Sequence, residues 1–172
     1  MARLSVVSLA PFEQVVIDHG HTVLRVCRAL LPAHDAEDAA AEALLSALQG
    51  YPKLSPDSNV KGWLVTIAHR KALDILRRRT RQALPVADVP EQVAGGEPPL
   101  ADEALWTAVR ALPDRQRHAV TYRYVADLPY ADVAELMGAS EAAVRRSAAD
   151  GIKALRRAYS TSAPLSHKEM TP

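Results

Sequence analysis

Cysteine, aromatic residues and long apolar runs are scarce in this sequence, and each scarcity excludes a class of protein. Cys27 is the only cysteine in 172 residues, so neither an internal disulfide nor a cysteine-rich metal site can form. We expect Cys27 to be a small apolar residue on a helix. No stretch approaches the length of a membrane span, and the N-terminal apolar run is too short for a signal peptide. The composition therefore favours a soluble, cytoplasmic protein.

Aromatic residues make up only 5% of the chain, while alanine is abundant, which favours helices over sheets. Neither a glycine-rich phosphate loop nor a convincing nucleophile arrangement is present. A metal-dependent hydrolase would have to use His34, Asp35, Glu37, Asp38 and His69, whose spacing matches no defensible ligand signature. The sequence therefore predicts an all-α protein that is not an enzyme and uses no metal or other cofactor.

Apolar residues recur at helical spacing through the first part of the chain. One helix is predicted from Pro11 to about Leu31, ended by Pro32. A second is predicted to start at Asp35 as N-cap and to end at Gly50 as C-cap. A third follows from about Trp63. The buried stripe of the second helix is expected to consist of Leu44, Leu45 and Leu48.

Residues 82–100 differ from the rest of the chain in having no lysine or arginine. They contain three acidic residues, four prolines and a Gly-Gly pair without helical periodicity, which is typical of a flexible linker. We therefore divide the chain into a helical domain (1–81), a flexible acidic linker (82–100), a second helical domain (101–160) and a disordered tail (161–172). The core of the second domain is expected to contain Val120, Tyr124, Leu128, Val133, Leu136 and Val144.

Residues 130–149 fit a helix-turn-helix. Ala134 allows the two helices to approach closely, Gly138 can take the positive φ of the turn, and Val144 fills the crossing point. In such a motif the N-terminal part of the second helix contacts DNA. The candidate DNA-binding residues there are Ser140, Glu141, Ala142, Arg145 and Arg146. An ordinary helical hairpin that binds nothing is the alternative.

The third helix of the first domain, "WLVTIAHRKALDILRRRTR", ends in a dense positive edge. Such an edge is often only a solvated face, but it also suits the phosphates of a nucleic acid. Trp63 heads the same helix and is either a core residue or a ring on which a base could stack. The basic residues concerned are Arg70, Lys71, Arg77, Arg78, Arg79 and Arg81.

The order of several segments makes a family resemblance specific. The chain contains, in this order, "AEDAAAEALLSAL", "GWLVTIAHRKALDILRRRTR", the acidic linker, "LPDRQRHAVTYRYVADLPYADVAELMGAS" and "KALRR". Over about residues 10–158 it resembles the extracytoplasmic-function group of bacterial RNA polymerase sigma factors. The resemblance implies two small helical domains, a sigma region 2 bundle and a sigma region 4 helix-turn-helix, joined by a flexible linker.

The resemblance also implies partners and sites. Region 2 would open the promoter −10 element and region 4 would bind the −35 element, with the core polymerase held through its β′ coiled coil and β flap. An anti-sigma factor is a further expected partner, and the linker would thread a polymerase channel. The acids expected to face the β′ coiled coil are Asp35, Glu37, Asp38 and Glu42. The DNA-binding candidates from both domains, besides the helix-turn-helix residues, are Lys61, Trp63, His69, Arg70, Arg77, Arg78, Arg79, Arg81, Arg115 and Arg117.

Some positions depart from the family pattern. Ala41 replaces a usual glutamine, and Leu44 and Leu48 replace large aromatic residues. Asp150 would repel phosphate, and Gly151 is expected to weaken its helix by about 1 kcal/mol relative to alanine. These departures motivate an alternative function, a helix-turn-helix regulator or a sigma-like adaptor that does not initiate transcription by itself.

Overall fold

A computed structural model describes residues 9–82 and 101–162, and all regular elements in these two ranges are helical. The first module (residues 9–82) contains α1 (Phe12–Leu30), α2 (Ala33–Gly50), a 3₁₀ turn (Tyr51–Lys53) and α3 (Val60–Gln82). The second module (residues 101–162) contains α4 (Ala101–Arg110), α5 (Asp114–Val120), a π-helical turn (Thr121–Val125), α6 (Tyr130–Met137) and α7 (Glu141–Ser162). The predicted all-α class is confirmed. Apart from their first residues, the predicted linker and tail lie outside the described residues.

The buried face of α2 consists of alanines, so the prediction of a leucine stripe is wrong. Leu45 and Leu48 are 58% and 50% exposed, and Leu44 is only partly buried. Because alanine side chains are small, α2 can lie close to both α1 and α3, and its leucines are left on the outer face. The residues buried instead are Ala36, Ala39, Ala40, Ala43 and Ala47.

Both ends of α2 also differ from the prediction. The helix begins at Ala33 directly after Pro32, whose fixed φ of −55° suits a helix entry, so Asp35 lies in the first turn and is not the N-cap. Gly50 has a φ of −85° and leads directly into the 3₁₀ turn, so it is not a left-handed cap. A Cβ on Gly50 would lie 3.1 Å from Cζ2 of Trp63, and the glycine therefore makes room for the indole ring.

The core of the second module is largely as predicted. Val120, Leu128, Val133 and Val144 are buried and Leu136 is partly buried, but Tyr124 is 50% exposed. The prediction of Tyr124 as a core residue is wrong because Tyr122, two residues earlier, takes the inward face of the π-helical turn. Residues two apart on a helix do not share a face.

Gly151 is buried where α7 packs against α5. A Cβ at this position would lie 2.6 Å from Cγ2 of Val120 and 3.3 Å from the carbonyl oxygen of Gln116. The interpretation of Gly151 as a weak point of the helix is therefore wrong, because its missing side chain is what allows the two helices to meet at this distance.

The two modules pack directly against each other. Trp106 and Val109 of α4 lie on Ala29 of α1, and the guanidinium of Arg25 lies 5.9 Å from the Trp106 ring centroid. Arg110 donates hydrogen bonds to the carbonyl oxygens of Arg28 (3.0 Å) and Leu31 (3.3 Å). Since the last carbonyls of a helix have no partner within it, Arg110 satisfies the C-terminal end of α1 from the other module.

Candidate nucleic-acid interface

The helix-turn-helix of the second module has the predicted geometry. Gly138 ends α6 in the left-handed region, with φ of 59° and ψ of 40°. Ala134 and Val144 are buried at 8% and 1% exposure, at the contact between α6 and α7. The turn therefore presents the first residues of α7 outward, as a DNA-reading helix requires.

The five candidate residues at the start of α7 lie together on the surface. The Ser140 side-chain oxygen accepts a hydrogen bond from the Ala143 backbone N–H at 3.2 Å and caps the helix. Arg145 is paired with Glu141 at 2.6 Å, and Ala142 and Arg146 are exposed. The structure thus brings these residues to one helix end, although Ser140 also has a structural role there.

The basic edge at the end of α3 is mostly exposed. Arg77, Arg78 and Arg81 face solvent, and Arg77 lies 3.5 Å from Asp74 on its own helix. Arg79 differs because its guanidinium lies 2.5 Å from the carboxylate of Asp35 and joins α3 to α2. Three of the four terminal arginines are therefore available to a polyanion, while Arg79 holds two helices together.

The acids of α2 do not form one uniform surface. Asp35 is buried beneath Arg79, whereas Glu37, Asp38 and Glu42 are exposed. Glu37 lies 3.4 Å from Arg28, and Glu42 lies 3.6 Å from Lys71. These three acids remain on the outer face, where a basic partner could reach them, and Asp35 has an internal partner instead.

Trp63 is neither fully buried nor free. Its ring lies 6.3 Å from that of Tyr51, which in turn meets Phe12 edge-on at 5.2 Å. The other side of Trp63 borders a cleft of about 400 Å³ between the two modules. The cleft is lined by Asn59, Trp63 and Arg70 from the first module and by Asp132, Glu135 and Leu136 from the second.

Two acidic residues of the second module contact the start of α3 and the residue that precedes it. The ammonium of Lys61 donates a hydrogen bond to the Asp127 carbonyl oxygen at 2.8 Å and lies 3.6 Å from its carboxylate. Asn59 donates to the Asp132 carboxylate at 2.8 Å. Asp127 has a φ of 51°, a left-handed conformation that aspartate tolerates better than most residues. Lys61, a predicted DNA ligand, is therefore occupied within the chain.

His69, another predicted DNA ligand, lies between the modules. Its Nδ1 is hydrogen-bonded to the Tyr122 hydroxyl, and the His118 ring packs edge-on at 5.4 Å. Burial first of all, and then the nearby charges of His118, Arg70 and Arg77, lower the pKa of His69 to about 4. Burial also lowers the pKa of His118 and raises that of Tyr122. The cluster is therefore neutral at physiological pH.

Arg115 and Arg117 lie in the same turn of α5 but have different surroundings. Arg115 is exposed, as a DNA ligand would be. Arg117 is partly buried, donates to the Arg110 carbonyl oxygen at 2.8 Å and is paired with Asp114, so it supports the fold.

The residues considered for a hydrolase do not converge. Asp35 faces Arg79, His69 faces Tyr122, and His34 lies 3.9 Å from Asp38 on the exposed side of α2. Their side chains share no common centre at which a metal could be held.

Sequence reasoning missed the residues that join the modules. Asp127, Asp132 and Arg110 form pairs across 66 to 82 positions of the chain, a separation that no local pattern reveals. Trp106 carried a usable signal, because it lies next to the apolar Leu105 and is large enough to need a partner surface.

The family comparisons agree with this two-module, helix-turn-helix architecture. The sequence model for Sigma-70 region 2 matches residues 15–82, and that for Sigma-70, region 4 matches residues 102–155. These are the helical bundle with the basic edge and the helix-turn-helix module, so the class defined is a two-domain, DNA-binding transcription factor of the sigma type.

Individual relatives narrow the class. The chain is 31% identical over 139 residues to the ECF RNA polymerase sigma factor SigM of Mycobacterium tuberculosis, covering 78% of this chain and 69% of SigM. It is 34% identical over 104 residues to the ECF RNA polymerase sigma factor SigK of Mycolicibacterium vanbaalenii, covering 55% of this chain and 53% of SigK, about half the length of that relative. The chain therefore belongs to the extracytoplasmic-function group of the sigma-70 family.

A solved structure shows the same fold. The sigma factor RpoE of Bartonella quintana, crystallised with the anti-sigma factor NepR, superimposes with a TM-score of 0.72 at 20% sequence identity. The match covers 88% of this chain and 98% of RpoE.

None of the helices in the described residues is long and apolar enough to cross a membrane.

Proposed function

We propose that this chain is a promoter-specificity subunit that directs core RNA polymerase to a set of promoters in the cytoplasm. It is a transcription initiation factor and not an enzyme. The first module would open the −10 element, using the loop before α3, Trp63 and the exposed arginines at the end of α3. The start of α7 would bind the −35 element. One observation carries the proposal. This chain, a member of the sigma-70 family, contains both an exposed basic helix end and a helix-turn-helix with the geometry of a DNA-reading motif.

The polymerase-binding part of the proposal rests on α2. Glu37, Asp38 and Glu42 are exposed acids beside the apolar Leu45 and Leu48. A basic and partly apolar surface, such as the expected β′ coiled coil, would complement this face, with the β flap contacting the second module. Asp35 is not part of this surface because it is buried against Arg79.

The packed arrangement of the modules bears on how the protein would work. Lys61 and Trp63 cannot meet promoter DNA fully while Asp127 is paired with Lys61 and Asp132 and Leu136 line the cleft beside Trp63. We therefore expect the modules to separate when polymerase binds, since the −10 and −35 elements are distinct stretches of DNA. An anti-sigma factor would act by keeping the two modules in the packed arrangement, which prevents DNA binding.

The proposal is tested by reconstitution of the full chain with core polymerase. Holoenzyme is mixed with a library of random upstream duplexes, each linked to its own transcribed barcode, and the transcripts are sequenced to identify the enriched upstream elements. We expect two short conserved blocks at fixed spacing. A triple variant, R77A/R78A/R81A, should reduce transcription strongly, whereas Lys153→Ala, which removes an exposed charge near the middle of α7, should have a small effect.

Two outcomes contradict the proposal in different ways. Failure of the chain to bind core polymerase at micromolar concentration excludes a sigma factor role. Sequence-specific footprints by the chain alone, without polymerase and at physiological salt, would instead favour the helix-turn-helix regulator or adaptor.

A further inference from the structure

The exposed surface beside the helix-turn-helix contains an unusual group of aromatic and arginine side chains. The guanidinium of Arg145 lies 4.6 Å from the ring centroid of Tyr130, and that of Arg123 lies 5.1 Å from the same ring. Arg123 also lies 5.7 Å from the ring of Tyr124. The group joins the π-helical turn, the first residue of α6 and the first turns of α7.

Arg145 is held from two directions. Tyr130 supports the face of its guanidinium, and Glu141, one helical turn earlier, is hydrogen-bonded to Nη2 at 2.6 Å. Stacking on an aromatic ring and an ion pair together restrict a side chain that would otherwise sample many rotamers. Arg145 nevertheless remains 56% exposed, so its unused N–H groups are open to a ligand.

Tyr130 is in turn fixed by its own neighbours. Arg123 lies against its ring, with the guanidinium 5.1 Å from the ring centroid. Arg123 is anchored by the Leu128 carbonyl oxygen at 3.3 Å and by the Asp127 carboxylate at 3.4 Å. The ring beneath Arg145 is therefore part of a connected support and not a mobile surface side chain.

Arg146, the adjacent arginine, is exposed and has no comparable support within the described residues. A base edge requires a guanidinium in a fixed orientation, because guanine is recognised through two parallel hydrogen bonds to O6 and N7. A phosphate accepts a cation from many directions and carries no sequence information directly. Arg145 thus has the fixed orientation that base recognition requires, whereas Arg146 lacks it and suits a phosphate contact.

We propose that Arg145 recognises a guanine in the upstream promoter element and that Tyr130 is a positioning residue that orients Arg145 for this contact. Arg146 contacts the DNA backbone. The inference rests on the proposed function, because the DNA is bound by the second module of a sigma factor. It goes further by assigning base recognition to one arginine and the orientation of that arginine to a tyrosine on another helix.

The test uses holoenzyme with the full chain and a promoter library randomised only in the upstream element. The unmodified chain should prefer guanine at one position by about tenfold or more. Arg145→Lys, which keeps the charge but loses the planar fork, should reduce that preference to about threefold or less. Tyr130→Leu should reproduce the loss, whereas Tyr130→Phe, which keeps the ring, should retain most of the preference. Arg146→Ala should weaken binding to all sequences equally.

Different outcomes would contradict this inference and the proposed function. If the unmodified holoenzyme initiates from selected promoters but Tyr130→Leu retains the full guanine preference, Tyr130 has no positioning role. Retention of the preference by Arg145→Lys overturns the assignment of Arg145. Absence of any selected promoter with the unmodified chain counts against the proposed function itself. Thermal unfolding of each variant shows whether a loss comes from misfolding, and the conservative Phe and Lys variants keep the test valid if Tyr130→Leu is unstable.

Discussion

Gly138, which caps α6, and Gly151, which lies within α7, are required for different reasons. Gly138 has a positive φ of 59° and nothing within 4 Å of the position of a Cβ, so its backbone conformation matters. Gly151 has ordinary helical geometry, and the atoms around it matter. The sequence predicts the first role from the spacing of the motif, whereas the second depends on Val120 and Gln116, about 30 residues away.

We predict that Gly151→Ala destabilises the protein by about 1–3 kcal/mol, although alanine has the higher helix propensity. The new methyl group would lie 2.6 Å from Val120, which is itself buried and cannot move freely. Urea unfolding checks this, with Asp150→Ala as control because Asp150 is the exposed neighbour on the same helix. An increase in stability for Gly151→Ala would show that helix propensity outweighs the packing contact.

Helix α2 shows how an element can be predicted correctly while its faces are reversed. The element itself follows from alanine content and the position of Pro32, and its existence was predicted. Its buried face was not predicted, because leucine is more apolar than alanine and a single sequence does not reveal how closely α1 and α3 approach α2. The same close approach buries Asp35 and places it against Arg79, two residues that the sequence assigned to separate partners.

We predict that Asp35 and Arg79 stabilise the contact between α2 and α3 by about 1–2 kcal/mol. Only 12% of the Asp35 side chain is exposed, so its carboxylate depends on this ion pair, but Arg79 is 56% exposed and solvent weakens the effect. A double-mutant cycle of Asp35→Asn and Arg79→Gln, followed by urea unfolding, measures the coupling.

The control cycle uses Glu42 and Lys71, which also join α2 to α3 but lie 3.6 Å apart, with 46% of the Glu42 side chain exposed. Its coupling should be below about 0.5 kcal/mol. Equal couplings in the two cycles would show that burial of Asp35 adds nothing to the ion pair.

At the scale of the whole molecule, the contact between the modules is the main feature that sequence reasoning did not provide. It joins Lys61 to Asp127, Asn59 to Asp132, Arg110 to the end of α1, and His69 to Tyr122. The basic edge of α3 is not buried by this contact, since Arg77, Arg78 and Arg81 remain exposed. In this closed arrangement, in which the two modules are packed together, the cleft near Trp63 is covered. The exposed arginines at the end of α3, which are part of the predicted DNA surface, remain open.

We predict that acid pH opens the contact between the modules. The pKa of His69 is about 4 in the closed arrangement, below its ordinary value of 6.5, so the open chain binds more protons between these values. The stabilisation is fully present above pH 6.5 and is lost as the pH falls towards 4. The charged or titratable groups that face the pair formed by His69 and His118 are Arg70 and Arg77 from α3, Asp114 and Arg117 from α5, and Tyr122.

Small-angle scattering of the full chain between about pH 7 and pH 5 measures the opening as an increase in the radius of gyration. The double variant H69Q/H118Q, which cannot titrate at these positions, should expand much less over the same range. The same expansion in both proteins would mean that other groups control the separation. Circular dichroism confirms that the helices stay folded.

The sequence by itself determined the helical class, the helix-turn-helix, the basic end of α3 and the sigma family, because these depend on short-range periodicity, turn residues and ordered motifs. Only the tertiary structure decided which face of α2 is buried, why Gly151 is a glycine, and which predicted DNA ligands are engaged within the chain. The physical reason is distance along the chain. Contacts such as Lys61 with Asp127 depend on how whole helices come together, and local propensity contains no information about that.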